Sequence, residues 1–550
     1  MLRLRNKRVA VLLAVVLAVT MAVGPAAAVA KPDILKGVPY GGPKASATVG
    51  LQLLAINDFH GQLPTYSATL GGAAVLGAYL DKFEAEAAAI GAQTMRLGVG
   101  DLIGASPAVS GLLQDEPTMK VLDMLDFEYS TVGNHEFDEG IDELYRLQYG
   151  GYHPLTGDWG GTTMKYLAAN VVFSDTGETV FRPYVVKRIG GIPVGFIGIG
   201  YENTPSIVTA AGTAGLTFLP EAETVNKYVK KLKQRGVEAI VVLMHDGGSG
   251  KADGSGPITG SIVPIIDAMD DEVDVVMTAH SHAEYWGTVD GKLVTQAYSA
   301  GRAVADVDLV LDRATGDVIS KTARIVRTLR PQSWLVPDAE VAQYVADTEA
   351  FLAPIINRVV ATAATDITRT QNAAGESALG KLIADAQAWK MGTPLAFMNP
   401  GGIRADLLAG EVTWGELFAI QPFSNNLVSL DLKGSDIELA LEQQWLGGNA
   451  GASAKVLQIS GISYTWDSVA PAGSRVDPAN IMVGAVPIDL AATYRVTMNS
   501  FLADGGDNFA AFKAGTNRVV GGFDLDGLVD YVIQLPQPFS APAGGRITKL

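Results

Sequence analysis

At 550 residues the chain is longer than one hydrophobic core normally spans, so two domains or more are expected. Apolar residues make up 48% of it and glycine is abundant at 62, which excludes a disordered chain and suits an α/β protein with many tight strand-to-helix turns. Cysteine is absent, excluding disulfides, a thiol nucleophile and thiolate metal sites, and a net charge of −17 argues against wrapping long DNA or RNA.

The N-terminus reads as a secretory signal peptide over residues 1–30. Arg3, Arg5, Lys7 and Arg8 form a basic start, Val9 to Val23 is an apolar run, and Ala28-Val29-Ala30 supplies an A-x-A site before Lys31. Cleavage near Ala30 removes four positive charges and takes the net charge from −17 to −21. The run is short for a membrane span and no later stretch approaches that length, so the expected product is secreted, with no span in the mature chain. A small anionic substrate fits such a protein only where a metal or a few arginines reverse the local potential.

From residue 50 to about 335, short apolar runs recur, each leading into polar residues. "LQLLAIN" leads to Asp58, "MRLGVG" to Asp101, "STVG" to Asn134, "AIVVLM" to His245 and "VDVVMTA" to His280. These read as buried strands, with helical stretches such as Gly72 to Ile90 between some of them. In such layered α/β domains, polar residues just past strand ends collect on the edge of the sheet where ligands bind. A stripe of apolar residues at helical spacing follows Pro337, with Pro354 expected to kink or end the helix. Residues 336–362 are read as a linker helix between this domain and a second, α+β one over 363–550.

Five of the six histidines fall at strand ends: His60, His135, His245, His280 and His282. Asp58-x-His60 and His280-x-His282 each place two side chains on one side of an extended segment, able to grip one ion. Gly100, before Asp101, is expected to let a metal approach the backbone. With Asp101, Asn134 and His245 these make seven candidate ligands of mixed nitrogen and oxygen character. Seven are too many for one tetrahedral zinc and suit two divalent ions of the Zn, Mn, Mg, Co or Fe class sharing a carboxylate.

The ordered set "DFH", "GD", "GNHE", "MH" and "AHSH" resembles the calcineurin-like metallophosphoesterases, and "NHEFD" resembles their 5′-nucleotidase branch. The fold implied is a four-layer α/β sandwich joined to a 5′-nucleotidase C-terminal domain. By that resemblance Asp58, His60, Asp101 and His282 hold one metal, and Asp101, Asn134, His245 and His280 the other. His135 faces the substrate phosphate, oriented by Asp138, while Glu136 is a supporting or solvated residue. The C-terminal motifs "NPGGIRADL", "QPFSNNL", "LQISGI" and "NSFLADGGDNF" resemble the family's nucleotide-binding segments. They imply Asn399, Arg404, Phe423, Asn425, Phe501 and Asp507 as contacts to a small nucleotide, with Gly461 near the base. Ala279 stands where the family has Gly, its methyl expected to be tolerated with at most a slight shift of His280. Ala378, Lys381, Pro400 and Ser424 depart from the family pattern and bear on substrate preference. The family also implies interdomain rotation, for which the linker helix is the expected hinge.

The activity so implied is hydrolysis of nucleoside 5′-phosphates by metal-activated water, extending to nucleotide sugars. The enzymatic alternative is a phosphodiesterase acting on 2′,3′-cyclic nucleotides or nucleic-acid ends. A surface binding protein that keeps only the fold would have lost ligands, and all seven are present. "GGSGKADGSG" is no phosphate loop, because His245 and Ala252 stand where Gly and Ser or Thr are required. "GASPA" lacks the second glycine of a nucleophile elbow, and "DLDG" lacks the other EF-hand ligands.

Overall fold

The computed structural model describes residues 47–550; the signal-peptide reading lies outside them. Two six-stranded sheets face each other in the first half of the chain. One runs in the order Val318–Arg327, Ala303–Asp312, Thr48–Ile56, Gln93–Val99, Tyr129–Thr131, Lys165–Leu167. The other runs Glu284–Val289, Lys292–Ala297, Val273–Thr278, Ala239–Met244, Ile192–Ile199, Tyr184–Ile189. Leu51, Leu53, Leu97 and Val307 of the first interdigitate with Phe196, Val241, Leu243 and Met277 of the second to form the inner core.

Helices cover both outer faces. Ala73–Ala89, Glu116–Met124 and Ile141–Tyr149 pack on the first sheet through Leu76, Leu80, Leu122 and Leu144. Glu221–Lys233 and Ile262–Asp267 pack on the second through Val225, Val229, Ile262 and Ile266. This is the four-layer sandwich expected. It explains why "AIVVLM" and "VDVVMT" are buried at every position: a strand covered on both faces has no solvent side to make polar. Thr48–Ile56, Gln93–Val99 and Tyr129–Thr131 are mutually parallel, as are Ala239–Met244 and Val273–Thr278. Their C-terminal ends therefore open onto one edge.

The helix after Pro337 spans Ala339–Ile356, started by Asp338, whose carboxylate accepts from the Val341 N–H. Pro354 lies in its last turn, where a missing N–H and a ring clash end a helix that is finishing anyway. Val341 and Val345 are buried in the first domain's core, while the backbone of Ile356 abuts Gly415 of the second. The helix is thus docked at both ends rather than a free tether.

The second half is built on a five-stranded sheet ordered Gln458–Ser460, Leu395–Met398, Thr493–Asn499, Asn426–Lys433, Thr516–Phe523. One face carries a core with Trp445, Tyr464 and Phe512. The other is covered by Ala378–Met391 and Asp524–Gln534 through Leu382, Ile383, Leu528 and Val532. Ala378 opens its helix, and Lys381 reaches the Gly544 carbonyl at 2.6 Å, so neither lines the cleft described below. Among the described residues no helix is long and apolar enough to cross a membrane.

Candidate active site

The parallel strand ends gather the seven residues singled out by the sequence. His282 Nε2 lies 3.3 Å from Asp58 Oδ1 and 3.2 Å from His60 Nε2. His245 Nε2 lies 3.1 Å from Asp101 Oδ2, the same oxygen that stands 3.9 Å from His60 Nε2. Asp58, His60 and His282 form one compact donor group and Asp101, His245 and His280 another, each with its atoms within 4.8 Å of one another. Asn134 lines the same cleft beside His280. Asp101 Oδ1 is taken up by the His135 backbone N–H at 2.8 Å, which leaves Oδ2 facing both groups.

The donors fit divalent cations on their own chemistry. His60 Nδ1 is 3.0 Å from the Gly104 carbonyl and His245 Nδ1 2.8 Å from that of Val99. Each Nδ1–H donates there, and each Nε2 is left directed inward. His60 Nε2 then faces another imidazole nitrogen, and His245 Nε2 faces a carboxylate oxygen without a hydrogen bond. The first contact needs a proton on one of the two nitrogens and the second a proton on His245 Nε2, unless a cation lies between. Asn134 Oδ1 is buried without a hydrogen-bond partner, and His245 Nε2 has only the Asp101 carboxylate beside it, an arrangement that coordination would satisfy.

The backbone is bent to hold this geometry. Asp58, His60, Asp101, His280 and His282 all adopt left-handed φ, between 48° and 67°. Each such non-glycine residue costs about 1 kcal/mol or more, and clusters of them mark functional sites. Gly100 serves a purpose different from the one expected. A Cβ there would stand 2.5 Å from Gly133 N and 2.6 Å from His245 Nδ1, so its absence makes room for protein neighbours rather than directly for a metal. Ala279 is buried with its N–H on the Asp246 carbonyl, so its methyl is accommodated in the core.

Charge is distributed to match. Burial would raise the Asp101 carboxyl, but His245 and His135 outweigh it and hold it well below the usual range. Burial would lower His245, but Asp101 and Asp58 outweigh it and push that imidazole up to about 10. Burial pushes His60 well down and, with His245, takes His280 down to about 4, so both are neutral imidazoles. His135 differs: burial opposes its charge, yet Asp138 and Asp101 outweigh burial and raise it. Its Nδ1 is 2.7 Å from Asp138 Oδ2, and one of its ring nitrogens lies within 4.8 Å of the His60 and Asp101 donor atoms. Glu136 is not solvated. It is 2% exposed and accepts from the backbone N–H groups of Asp101, Leu102 and Gly133 at 2.8, 2.9 and 2.5 Å, while burial and Asp101 push its carboxyl up to about 7.

The second domain supplies the opposite wall. Asn399, Arg404, Phe423, Asn425, Phe501 and Asp507 line one cleft together with Asn134, His135, Asp138 and His280. Phe423 stacks on His135 itself, with centroids 5.6 Å apart at 16°, and the Arg404 guanidinium is 5.7 Å from the Phe423 ring. Ser424, where glycine is usual, is held at φ 53°, so the loop keeps the glycine-like conformation without the glycine. Asn399 donates to Asp507 Oδ2 at 2.8 Å. The Phe501 ring lies against Gly506, where a Cβ would stand only 2.4 Å from it.

Gly461 is the exception. It does not line the cleft but turns the chain between Gln458–Ser460 and Ile462–Trp466 at φ 74°. A Cβ would stand 1.8 Å from the Pro394 carbonyl oxygen, so backbone packing, not a nearby base, explains the glycine. Sequence reasoning also passed over cleft residues. Asn499 fixes the Asn399 amide through a 3.0 Å bond, Lys455 pairs with Asp507, and Ile207, Val208 and Thr209 come from a first-domain loop. Asn499 stood within a quoted motif, whereas the others carry no local signal.

Comparison with known proteins agrees with this architecture. Residues 51–284 match the calcineurin-like phosphoesterase family and residues 359–514 the 5′-nucleotidase C-terminal domain. An endonuclease, YhcR, from Bacillus subtilis is 37% identical over 91% of this chain, which spans only 41% of that protein's length. The cell wall protein Lmo0130 of Listeria monocytogenes is 36% identical over 90% of this chain and 68% of its own. The crystal structure of a 5′-nucleotidase precursor from Thermus thermophilus superposes with a TM-score of 0.76 at 30% identity, covering 91% of this chain and 99% of that one. The chain therefore belongs to the 5′-nucleotidase family, a calcineurin-like phosphoesterase domain followed by a 5′-nucleotidase C-terminal domain, and is a metal-dependent phosphoester hydrolase.

Proposed function

We propose that the protein hydrolyses nucleoside 5′-monophosphates to nucleoside and phosphate at a dinuclear centre. The observation that carries the reading is the shared cleft: Asn134, His135, Asp138 and His280 from one domain lie opposite aromatic, amide and carboxylate groups from the other. Asp58, His60, Asp101 and His282 would hold one cation and Asp101, Asn134, His245 and His280 the other. Cations so held supply Lewis acidity to a water and to the phosphate oxygens. Arg404, from the second domain, adds a guanidinium against the phosphate, while burial and Arg369 lower its own pKa. His135, kept charged by Asp138, donates to the developing charge or to the leaving oxygen. Phe423 and Phe501 offer faces for the base, and Asp507 accepts from ribose hydroxyls.

Export to the cell surface or medium is part of this reading. It rests on the N-terminal pattern and on a relative named as a cell wall protein. A second reading, hydrolysis of phosphodiesters, is favoured by the relative named as an endonuclease. Rates of the metal-loaded protein on AMP, UDP-glucose and 2′,3′-cyclic AMP separate the two. Turnover of AMP above the diester is expected, and turnover of the diester with AMP inert would reject the nucleotidase assignment.

A further inference from the structure

Asp507 carries more partners than a residue free to find its ligand would need. Its carbonyl accepts from the Asn449 amide at 2.8 Å, and its backbone sits at φ 55°. Its Oδ2 accepts from Asn399 at 2.8 Å, and Asn499 fixes which way the Asn399 amide points. Its Oδ1 is paired with the Lys455 ammonium. An ionised carboxylate has about four acceptor positions. Two are occupied here, one on each oxygen, and two remain on a side chain that lines the cleft. Two acceptors on adjacent oxygens match the two donors of a vicinal diol.

Lys455 is the part of this arrangement that nothing else supplies. Among the described residues, Arg404 and Lys455 are the only lysine or arginine side chains lining the cleft, and Arg404 stands at the Phe423 and His135 end. Without Lys455 a carboxylate that is 5% exposed would face an anionic substrate with no countercharge, in a chain already at −17. A carboxylate left without that partner is free to turn away, and the pair of acceptors is then no longer presented together. We propose that Lys455 is a positioning residue which holds Asp507 oriented to read the ribose 2′,3′-diol. The site is then selective for ribonucleotides with both hydroxyls free, over deoxyribonucleotides and 3′-substituted nucleotides. This rests on the nucleotidase reading and names its substrate class.

The test compares AMP with 2′,3′-dideoxy-AMP on the metal-loaded wild type, K455M and K455R. Calorimetric binding of adenosine and of 2′,3′-dideoxyadenosine provides a readout without turnover. For K455M, kcat/KM on AMP is expected to fall by about 10-fold or more, through KM rather than kcat, because a charge-assisted acceptor pair is lost. The fall on dideoxy-AMP should be less than about 3-fold, adenosine affinity should drop in parallel with AMP, and K455R should recover most of the loss. An equal fall on both nucleotides, or none on either, overturns the role of Lys455. A wild type that cleaves bis(p-nitrophenyl) phosphate but neither nucleotide overturns the underlying nucleotidase reading instead.

Discussion

Asp58, Asp101 and His245 are at most 2% exposed and follow parallel strands within two residues, whereas Phe423 and Asn425 stand on a loop and Phe501 on a four-residue helix. The metal-facing wall is set by strand ends whose spacing the sandwich core fixes. The substrate-facing wall is assembled from separate segments that hold one another by side-chain bonds, as in the chain from Asn499 through Asn399 and Asp507 to Lys455. A wall built on strand ends has little freedom to change and carries the chemistry. A wall built on mutual contacts can change preference by exchanging one member.

The sharpest way to break that contrast is at Asp101, whose free oxygen faces both donor groups. Asp101→Ala is expected to lower kcat on AMP by more than ~10³-fold and to lower bound metal, measured by elemental analysis. Exhaustive chelation should reproduce the loss in the wild type, and re-added divalent metal should restore it. Activity that survives both treatments would sink the dinuclear mechanism. Next in size is His135→Asn, expected to cost ~10²-fold in kcat with metal content unchanged. Asp138→Asn should cost less, since it removes the charge beside Nδ1 while leaving the imidazole in place and an amide oxygen to accept from it. Equal losses of metal in these variants would move His135 from the phosphate to the metal-holding set.

How much could be read beforehand follows the same division. The residues of the two donor groups were legible because a strand covered on both faces is mostly apolar, so the cluster of polar residues after it stands out. The left-handed backbones of Asp58, His60, Asp101, His280 and His282 were not legible, since φ is imposed by the turn each strand end makes at the sheet edge. In the second domain, motif resemblance found Asn399, Asp507 and both phenylalanines, but it could not reveal that Phe423 stacks on His135, a contact between residues 288 positions apart. Lys455 was invisible because its meaning lies in a partner 52 residues away. Gly461 was misread for a related reason: a glycine required by a carbonyl and one required by a ligand look alike in one dimension.

Glu136 sharpens the comparison from the supporting side. Its carboxylate gathers three backbone N–H groups from the loops that carry Asp101 and Asn134, yet it belongs to neither donor group. Glu136→Gln presents an amide N–H to some of those donors and leaves at least one of them unsatisfied in a buried site. Metal affinity is expected to fall ~10–100-fold, the range seen when supporting partners of metal ligands are removed. Thermal stability should fall as well, by about 1–3 kcal/mol for a buried donor left unpaired. Unchanged metal affinity at reduced stability would make Glu136 a folding residue only.

The smallest effects belong to the aromatic residues, and there the two walls can be told apart within one pair. Phe501 rests on Gly506 and touches no residue of the metal-facing set, so Phe501→Ala is expected to raise KM for AMP about 10-fold with kcat nearly unchanged, the loss of one stacked face. Phe423 covers His135 and lies 5.7 Å from Arg404, so Phe423→Ala should raise KM by a similar factor and also lower kcat a few-fold as the imidazole loses its neighbour. Steady-state kinetics on AMP with both variants measures the difference directly. If the two split identically between KM and kcat, the stack on His135 is incidental, and the catalytic wall ends at the domain boundary rather than reaching across it.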